Sequence, residues 1–184
     1  MNILLSPHND DETLFACYTL LRYRPHVIVC LRSARMGTPG YPPPLIDHET
    51  REAETEAAMN VLGLEWTQWP WTDAGDQWQQ VGSALETLSH LPRIERVFAP
   101  AFEDGGHVQH NTIARMAGRV FGKRVTYYLT YTNGTLRSTS GSAVDPDPDW
   151  PVLKRQALDC YQSQIAHPMT GHHFSAPLDE FYAI

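Results

Sequence analysis

Short apolar segments alternate with helix-length intervals along this chain, and this alternation is the strongest constraint on its fold. Residues 2–6 and 27–31 are apolar runs of the kind that form strands buried on both faces of a sheet. Between them, residues 11–22 carry apolar side chains near helical spacing. A strand, a helix and a second strand in this order predict a βαβ unit, whose two strands run parallel.

The alternation continues toward the end of the chain. A helix is predicted for residues 47–62, where an acidic first turn precedes good helix formers and Gly63 follows. The remaining predicted elements are strands at 64–71, 96–100 and 125–131 and helices at 78–88, 110–121 and 151–164. We predict an α/β protein, a single-domain three-layer α/β/α fold over residues 1–184 with a mostly parallel sheet. Loops are predicted for the Gly- and Pro-rich residues 37–44 and for residues 133–149.

The net charge, the cysteine count and the length of the apolar runs exclude several classes of protein. The 184 residues include 14 Lys and Arg against 21 Asp and Glu, and the formal net charge of −7 disfavours general binding to a phosphate backbone. No apolar run approaches the roughly 18 residues of a membrane span, and no basic signal-peptide region precedes the polar residues near the start. Three cysteines without a CxxC spacing indicate reduced thiols. We expect a cytoplasmic protein with no membrane span and no nucleic-acid partner.

Acidic residues and a histidine directly follow the first predicted strand. The cluster places one imidazole and three carboxylates within five residues: His8, Asp10, Asp11 and Glu12. Such crowding of negative charge is costly unless a cation or water compensates it. Because ligands of open parallel sheets bind outside the carboxyl ends of the strands, this cluster is the first candidate site.

Two histidines follow the fourth predicted strand. His107 and His110 are three residues apart, so their side chains converge if they lie on one helical turn. Both polar clusters are expected to open on the same edge of the sheet. Two histidines and one aspartate match a catalytic zinc shell that leaves a fourth position for water, and this set also suits other divalent ions.

The order of these motifs resembles the LmbE-like or PIG-L deacetylases, a family that includes N-acetylglucosaminyl-phosphatidylinositol de-N-acetylases. Residues 6–13, Ser-Pro-His-Asn-Asp-Asp-Glu-Thr, resemble the N-terminal signature of the family, and His107-x-x-His110 resembles its second metal motif. Arg51-x-x-Glu54 resembles its helix, and residues 154–164 are similar to its C-terminal helix. The matches span most of the chain.

The resemblance implies a Rossmann-like fold and amide hydrolysis with one Zn²⁺ ion per chain. Carried over residue by residue, it implies that the zinc is held by His8, Asp11 and His110. Asp10 would be the general base, and His107 would assist the oxyanion or the leaving group. A water bound to the metal would attack the acetamide of an N-acetylated amino sugar or its conjugate.

The resemblance also implies two substrate contacts, and the chain departs from the family pattern at two positions. Arg51 and Asp73 resemble the substrate-binding arginine and the sugar-binding acid of the family. Asn9 replaces a proline, which we expect the chain to tolerate because both neighbouring carboxylates remain. Gln109 replaces an acid, so we expect a neutral amide to orient His107 less well than a carboxylate would, unless Asp104 or Glu103 takes the place of that acid.

Other interpretations of the same residues stay open. The scaffold would also serve a metal-dependent hydrolase of another amide or ester in secondary metabolism, or a non-catalytic binding module. Arg51 and Glu54 lie at i and i+3, which also fits a surface ion pair. His172 and His173 fit a solvated tail, or they approach the pocket from the C-terminal region. The tryptophans around the third strand fit a sugar-stacking wall or a core role. The partner would be a small-molecule N-acetyl sugar or glycoconjugate, and the chain could form a homo-oligomer.

Overall fold

Strands and helices alternate in the computed structural model, which describes residues 1–32, 47–72, 77–132, 136–168, 170–175 and 178–184. The strands are β1 (Asn2–Ser6), β2 (His26–Val29), β3 (Trp66–Gln68), β4 (Arg96–Pro100), β5 (Val125–Tyr128), β6 (Tyr131–Thr132), β7 (Leu136–Arg137), β8 (Ser142–Ala143) and β9 (Phe181–Tyr182). The helices are α1 (Asp11–Tyr23), α2 (His48–Leu62), α3 (Trp78–Ser89), α4 (Val108–Phe121), α5 (Trp150–Leu158), α6 (Gln162–Ile165) and α7 (Gly171–Phe174). A short 3-10 helix, Gly122–Arg124, connects α4 to β5.

One seven-stranded sheet has the strand order β3-β2-β1-β4-β5-β9-β8, and β6 and β7 form a separate pair. Strands β1 to β5 run parallel, whereas β9 and β8 add antiparallel at one edge. In the central strand β1, Leu4 pairs with Val27 of β2 on one side and with Phe98 of β4 on the other. The order of the strands reverses between β1 and β4, where ligands of such sheets bind. The predicted α/β class with a mostly parallel sheet is confirmed.

Alternate residues of the central strand face two separate cores. Leu4 packs with residues of α1, α2 and α5 in one core, whereas Ile3 and Leu5 pack with residues of α3 and α4 in the other. All three side chains are buried, as expected for a strand that is covered on both faces. Helices therefore lie on both faces of the sheet, and the predicted three-layer arrangement is confirmed.

The ends of α2 follow the signals in its sequence. Asp47 precedes the helix, and its side chain accepts a hydrogen bond from the backbone N–H of Thr50 at 2.8 Å. Gly63 ends the helix with a φ of 64°, a left-handed conformation that glycine adopts without steric cost. The helix predicted for residues 47–62 is confirmed, with Asp47 as its cap.

The helix predicted for residues 151–164 is wrong as a single element, because the structure divides it into α5 and α6. Tyr161 lies between the two helices with φ −87° and ψ 55°. Its fully buried side chain donates a hydrogen bond from the hydroxyl to the carboxylate of Glu12. The helix breaks where Tyr161 turns inward, and a contact across 149 residues leaves no trace in the local sequence pattern.

Two predicted strands are longer than the observed ones. The strand predicted for 64–71 is limited to Trp66–Gln68, and the strand predicted for 125–131 ends at Tyr128 before the separate β6. Strand β9, which pairs with β5 through Tyr182, was not predicted. A two-residue strand is too short to produce a periodic pattern.

The two predicted loops have different outcomes. Residues 133–149 include the short strands β7 and β8, so this prediction is only partly right. The Gly- and Pro-rich loop at 37–44 lies outside the described residues. Among the helices in the described ranges, none combines the length and apolar character that crossing a membrane requires.

Replacing Leu85 of α3 by alanine should destabilise the fold. Leu85 is fully buried in the core between the sheet and α3 and α4, and we expect the free energy of unfolding to fall by about 2–5 kcal/mol. Val61→Ala, at a 39% exposed position of α2, is the control and should cost about 0.5 kcal/mol or less. Urea unfolding followed by tryptophan fluorescence measures both, and equal losses would contradict the assignment of Leu85 to the core.

Candidate active site

The edge of the sheet where the strand order reverses brings the two polar clusters of the sequence together. His8 and Asp11 follow β1 at the start of α1, and His107 and His110 follow β4 at the start of α4. The ring centroids of His8 and His110 are 5.3 Å apart, and those of His107 and His110 are 4.8 Å apart. The prediction that both clusters open on one edge of the sheet is confirmed.

Three of these side chains form a cluster that could hold a metal ion. One donor atom from each of His8, Asp11 and His110 lies within 4.8 Å of the other two. The Oδ2 atom of Asp11 is 3.1 Å from His8 Nδ1 and 3.0 Å from His110 Nε2. Two imidazole nitrogens and one carboxylate oxygen are a donor set of catalytic zinc sites, and they also suit other divalent metals.

The surroundings of Asp11 favour its ionised form, which is the form that binds a metal. Burial alone would raise its pKa, but the attraction of His110 and hydrogen bonds from His110 and His8 outweigh burial. Together they hold the pKa of Asp11 well below its usual range. The backbone N–H of His8 donates a further hydrogen bond to Asp11 Oδ2 at 3.0 Å. A carboxylate therefore faces both imidazoles.

Each histidine of the cluster has a hydrogen-bond partner on its outer nitrogen. Gln109 Oε1 lies 2.7 Å from His8 Nε2, and Thr130 Oγ1 lies 3.1 Å from His110 Nδ1. These partners hold the rings so that His8 Nδ1 and His110 Nε2 face Asp11. The two inner nitrogens and the carboxylate oxygen of Asp11 would become the ligands of a divalent metal, so donor types and ring orientations both fit such an ion.

Asp10 lies beside the cluster in a strained backbone conformation. Its φ of 110° and ψ of −30° are rare for residues other than glycine. Its carbonyl accepts hydrogen bonds from the N–H groups of Thr13 at 3.0 Å and Leu14 at 2.8 Å, so the first turn of α1 holds this conformation. Burial, together with the negative charge of Asp11, raises the pKa of Asp10 to about 7 against the attraction of Arg51.

Arg51 holds the Asp10 carboxylate. Its guanidinium donates to Asp10 Oδ2 at 3.0 Å and to the carbonyl of Asn9. Glu54, which follows on α2, accepts hydrogen bonds from the N–H and the hydroxyl of Ser163 at 2.6 and 2.7 Å. The interpretation of Arg51 and Glu54 as a surface ion pair is wrong, because both are buried and each has a partner outside α2. Contact between Arg51 and a substrate stays a prediction.

Glu12 and Asn9 take part in buried structural contacts. Glu12 accepts hydrogen bonds from the hydroxyl of Ser6 at 2.8 Å and from the hydroxyl of Tyr161. Burial raises the pKa of Glu12 against these hydrogen bonds. Asn9 donates to the hydroxyl of Thr55 at 3.0 Å. Hydroxyl groups therefore compensate the third carboxylate of the cluster, and Asn9 is held where the family pattern has proline.

His107 occupies the exposed side of the site. It directly precedes α4, and its ring meets His8 edge-on at a centroid distance of 5.3 Å. Gly106 allows the preceding loop to pass close to its neighbours, since a Cβ there would lie 2.9 Å from the carbonyl oxygen of Tyr131. His107 is therefore open to solvent, whereas His110 is enclosed.

Two further aromatic side chains, Tyr131 and His173, lie near the cluster; the sequence left open that His173 approaches the pocket, whereas Tyr131 was not predicted there. The ring centroid of Tyr131 lies 6.0 Å from that of His110 and 4.6 Å from that of His173. The interpretation as a solvated tail is wrong for His173, which is buried, whereas His172 is exposed. The position of Tyr131 just after β5 was an available signal, because it lies at the carboxyl end of a parallel strand. No local pattern marks His173.

The remaining predictions concern Asp73 and the tryptophans. Asp73 lies outside the described residues, so its contact with a substrate stays a prediction. Trp66 packs against one core, and Trp69, Trp71 and Trp78 pack against the other. These contacts favour the core role of the tryptophans over a sugar-stacking wall.

The fold and the ligand cluster define an α/β protein with a candidate metal site at the carboxyl edge of its sheet. The chain belongs to the PIG-L family, whose model, described as GlcNAc-PI de-N-acetylase, matches residues 3–121. No curated protein matches the chain.

Solved structures share this fold at low sequence identity. A deacetylase triple mutant of the teicoplanin biosynthetic pathway is 20% identical, with 98% of this chain and 96% of that chain covered and a TM-score of 0.71. N,N'-diacetylchitobiose deacetylase from Pyrococcus horikoshii is 15% identical, with 98% and 82% covered and a TM-score of 0.65. The 4-carboxy-2-hydroxymuconate hydratase from Pseudomonas putida is 11% identical, with 99% and 94% covered and a TM-score of 0.62. The fold alone does not determine the reaction.

Removing His110 should abolish metal binding. Protein purified without chelators should contain about one zinc ion per chain, and His110→Ala should contain none because two ligands do not make a stable site. Inductively coupled plasma mass spectrometry measures the metal content. His90→Ala, which removes an exposed histidine at the end of α3, is the control and should retain the metal. Equal metal content in the wild type and His110→Ala would overturn the ligand assignment.

The outer partner of His110 should tune metal affinity. Thr130→Val preserves the side-chain shape and removes the hydroxyl next to His110 Nδ1, so we expect zinc binding to weaken about tenfold. Competition with a chromophoric chelator measures the affinity. Thr87→Val, at an exposed position of α3, should bind zinc as the wild type does. Unchanged affinity in Thr130→Val would mean that Thr130 does not orient the ring.

Proposed function

We propose that this protein is a zinc-dependent N-deacetylase that hydrolyses the acetamide of an N-acetylated amino sugar or its conjugate. The observation that carries the proposal is the cluster of His8, Asp11 and His110 with Asp10 and His107 beside it, at the ligand-binding edge of the sheet. Membership of the PIG-L family supports the same reaction. Two structural relatives are deacetylases, and one is named for an N-acetylated disaccharide.

Asp10 is the proposed general base. A zinc ion held by His8, Asp11 and His110 would supply Lewis-acid chemistry toward water and the acetamide carbonyl. Asp10 directly precedes the proposed ligand Asp11 and is not itself one of the three ligands. The guanidinium of Arg51 donates a hydrogen bond to Asp10 Oδ2 at 3.0 Å. The fixed carboxylate takes a proton from the attacking water as the water oxygen bonds to the carbonyl carbon.

His107 is the proposed oxyanion donor and general acid. It lies on the exposed side of the cluster, where a substrate approaches. In its protonated form it donates a hydrogen bond to the carbonyl oxygen as negative charge develops there. The bond between carbon and nitrogen then breaks, the leaving amine takes a proton from His107, and acetate remains. One water and one amide thus give one protonated amine and one acetate ion.

Arg51 and Asp73 are retained as proposed substrate contacts on the basis of the family resemblance. An arginine fork suits phosphate or ring hydroxyl groups, and a carboxylate accepts hydrogen bonds from a sugar diol. The side chain of Arg51 is 3% exposed and is engaged with Asp10. This contact supports a role of Arg51 in orienting the base, and the proposed substrate contact of Arg51 rests on the family resemblance alone.

A different amide or an ester is the second candidate substrate class. The fold does not decide between the two classes, because a hydratase that is named for another reaction shares it over 99% of this chain. A non-catalytic binding module is less well supported. Asp10 is not needed to hold a metal, yet it occupies the strained backbone conformation that is typical of functional sites.

Asp10→Asn should retain zinc and lose turnover. Zinc-loaded protein is incubated with N-acetylglucosamine and N,N'-diacetylchitobiose, and released amine is detected with fluorescamine. Removing the base should lower the rate about 10²–10⁴-fold, whereas Asp159→Asn, an exposed acid after α5, should leave the rate unchanged. Unaltered turnover in Asp10→Asn would rule out the proposed base.

Two further outcomes separate the candidates. Hydrolysis of p-nitrophenyl acetate by zinc-loaded protein, with no release of amine from any N-acetyl sugar, would move the assignment to the second substrate class. A protein that binds zinc but turns over neither kind of substrate would fit the binding module.

A further inference from the structure

Helix α1, which begins at the proposed metal ligand Asp11, is broken in its middle. Ala16 has φ −137° and ψ 18°, outside the helical range. The break separates a first part, which carries Asp11, from a second part that ends at Tyr23. A continuous α-helix would join the carbonyl of Leu14 to the N–H of Tyr18, four residues further on.

A buried ion pair from the C-terminal region contacts both sides of this break. Lys154 Nζ donates to the carbonyl of Leu14 at 3.0 Å, and both carboxylate oxygens of Glu180 accept from the N–H of Tyr18 at 3.0 Å. Lys154 Nζ and Glu180 Oε1 are 2.6 Å apart, and their side chains are 0% and 1% exposed. The carbonyl and the N–H on either side of the break thus each have a charged partner.

The ion pair joins three parts of the fold at one point. Lys154 belongs to α5 and also donates to the carbonyl of Leu178 at 3.0 Å. Glu180 directly precedes β9, whose Tyr182 pairs with Tyr128 of β5. Burying two charges stabilises a fold little compared with apolar side chains of similar volume. Stability alone is therefore a weak reason for a pair at this position.

Leu14 connects the ion pair to the proposed metal site, because its backbone makes hydrogen bonds with both Lys154 and Asp10. The N–H of Leu14 donates to the carbonyl of Asp10 at 2.8 Å, and the carbonyl of Leu14 accepts from Lys154. Asp10 and Asp11 form the start of α1. A displacement of Lys154 would therefore shift Leu14 and the turn that carries both carboxylates.

We propose that Lys154 and Glu180 are positioning residues for the metal centre, because their ion pair holds the first part of α1 so that Asp11 is aimed at His110. This inference rests on the metal site of the proposed function. It makes metal affinity, in addition to stability, depend on the C-terminal segment. A purely structural pair would alter stability and leave the metal affinity of the folded protein unchanged.

Lys154→Met and Glu180→Gln test the inference. Lys154→Met keeps most of the side-chain length and removes the donor to Leu14, whereas Glu180→Gln keeps an acceptor for Tyr18 and removes the charge. We expect zinc affinity to fall about tenfold in both variants. It is measured by competition with a chromophoric chelator, at a temperature well below the Tm of each variant.

Arg155→Met is the matched control. Arg155 is the next residue on α5 and donates to the carbonyl of Phe174, so this change removes a hydrogen bond within the C-terminal region and keeps the contacts of Lys154 and Glu180 with α1. Its zinc affinity should equal that of the wild type. A second readout is amide hydrogen exchange, which should accelerate at Tyr18 in Lys154→Met and Glu180→Gln but not in Arg155→Met.

The outcomes distinguish this inference from the proposed function. Wild-type affinity in the folded Lys154→Met and Glu180→Gln proteins, with zinc bound by the wild type, would overturn the positioning role and leave the metal site standing. An equal loss of affinity in Arg155→Met would also overturn it, because loosening of the C-terminal region would then suffice. A wild-type protein that binds no zinc would end both proposals. If Lys154→Met does not fold, the isosteric Glu180→Gln decides alone.

Discussion

The parallel pairing of β1 with β4 is the constraint on which the rest of the structure depends. It places Leu4 opposite Phe98 and brings the carboxyl ends of two strands that are distant in sequence side by side. Each strand leads into a helix whose beginning carries candidate ligands, Asp11 in α1 and His110 in α4. A shift of one residue in β1 would turn its side chains into the opposite core and displace the loop that follows. Core packing on both faces of the sheet therefore determines the geometry of the candidate metal site.

Three adjacent acids at the start of α1 differ in the partners that the fold provides. Asp10 faces the guanidinium of Arg51, Asp11 faces the histidines of the cluster, and Glu12 is held by hydroxyl groups. The pKa of Asp11 is lowered while those of its two neighbours are raised. Because the amino end of a helix favours negative charge, these acids share one favourable field, and their partners separate their roles. One is a candidate ligand, one a proposed base and one a structural acid.

Elements defined by local interactions were predicted well from the sequence. The strands at 2–6 and 96–100 have the predicted bounds, and the predicted ends of α2 rest on a cap and a glycine that act over a few residues. The predictions failed where a distant contact decides the local backbone. Tyr161 breaks the last predicted helix through its hydroxyl contact with Glu12, and His173 is buried against Tyr131. Such contacts depend on the completed packing and leave no periodic signal.

The sequence by itself determined the alternation of strands and helices, the placement of polar clusters after two strands and the chemical types of the candidate ligands. These three features follow from short-range patterns, because apolar periodicity and the order of motifs can be read from the sequence without knowledge of distant contacts. Only the tertiary structure decided that Arg51 holds Asp10 and that Gln109 contacts His8. It also decided that Lys154 and Glu180 meet at the break in α1. Each of these contacts joins residues far apart in sequence, so each exists only once the sheet and its two helical layers have formed.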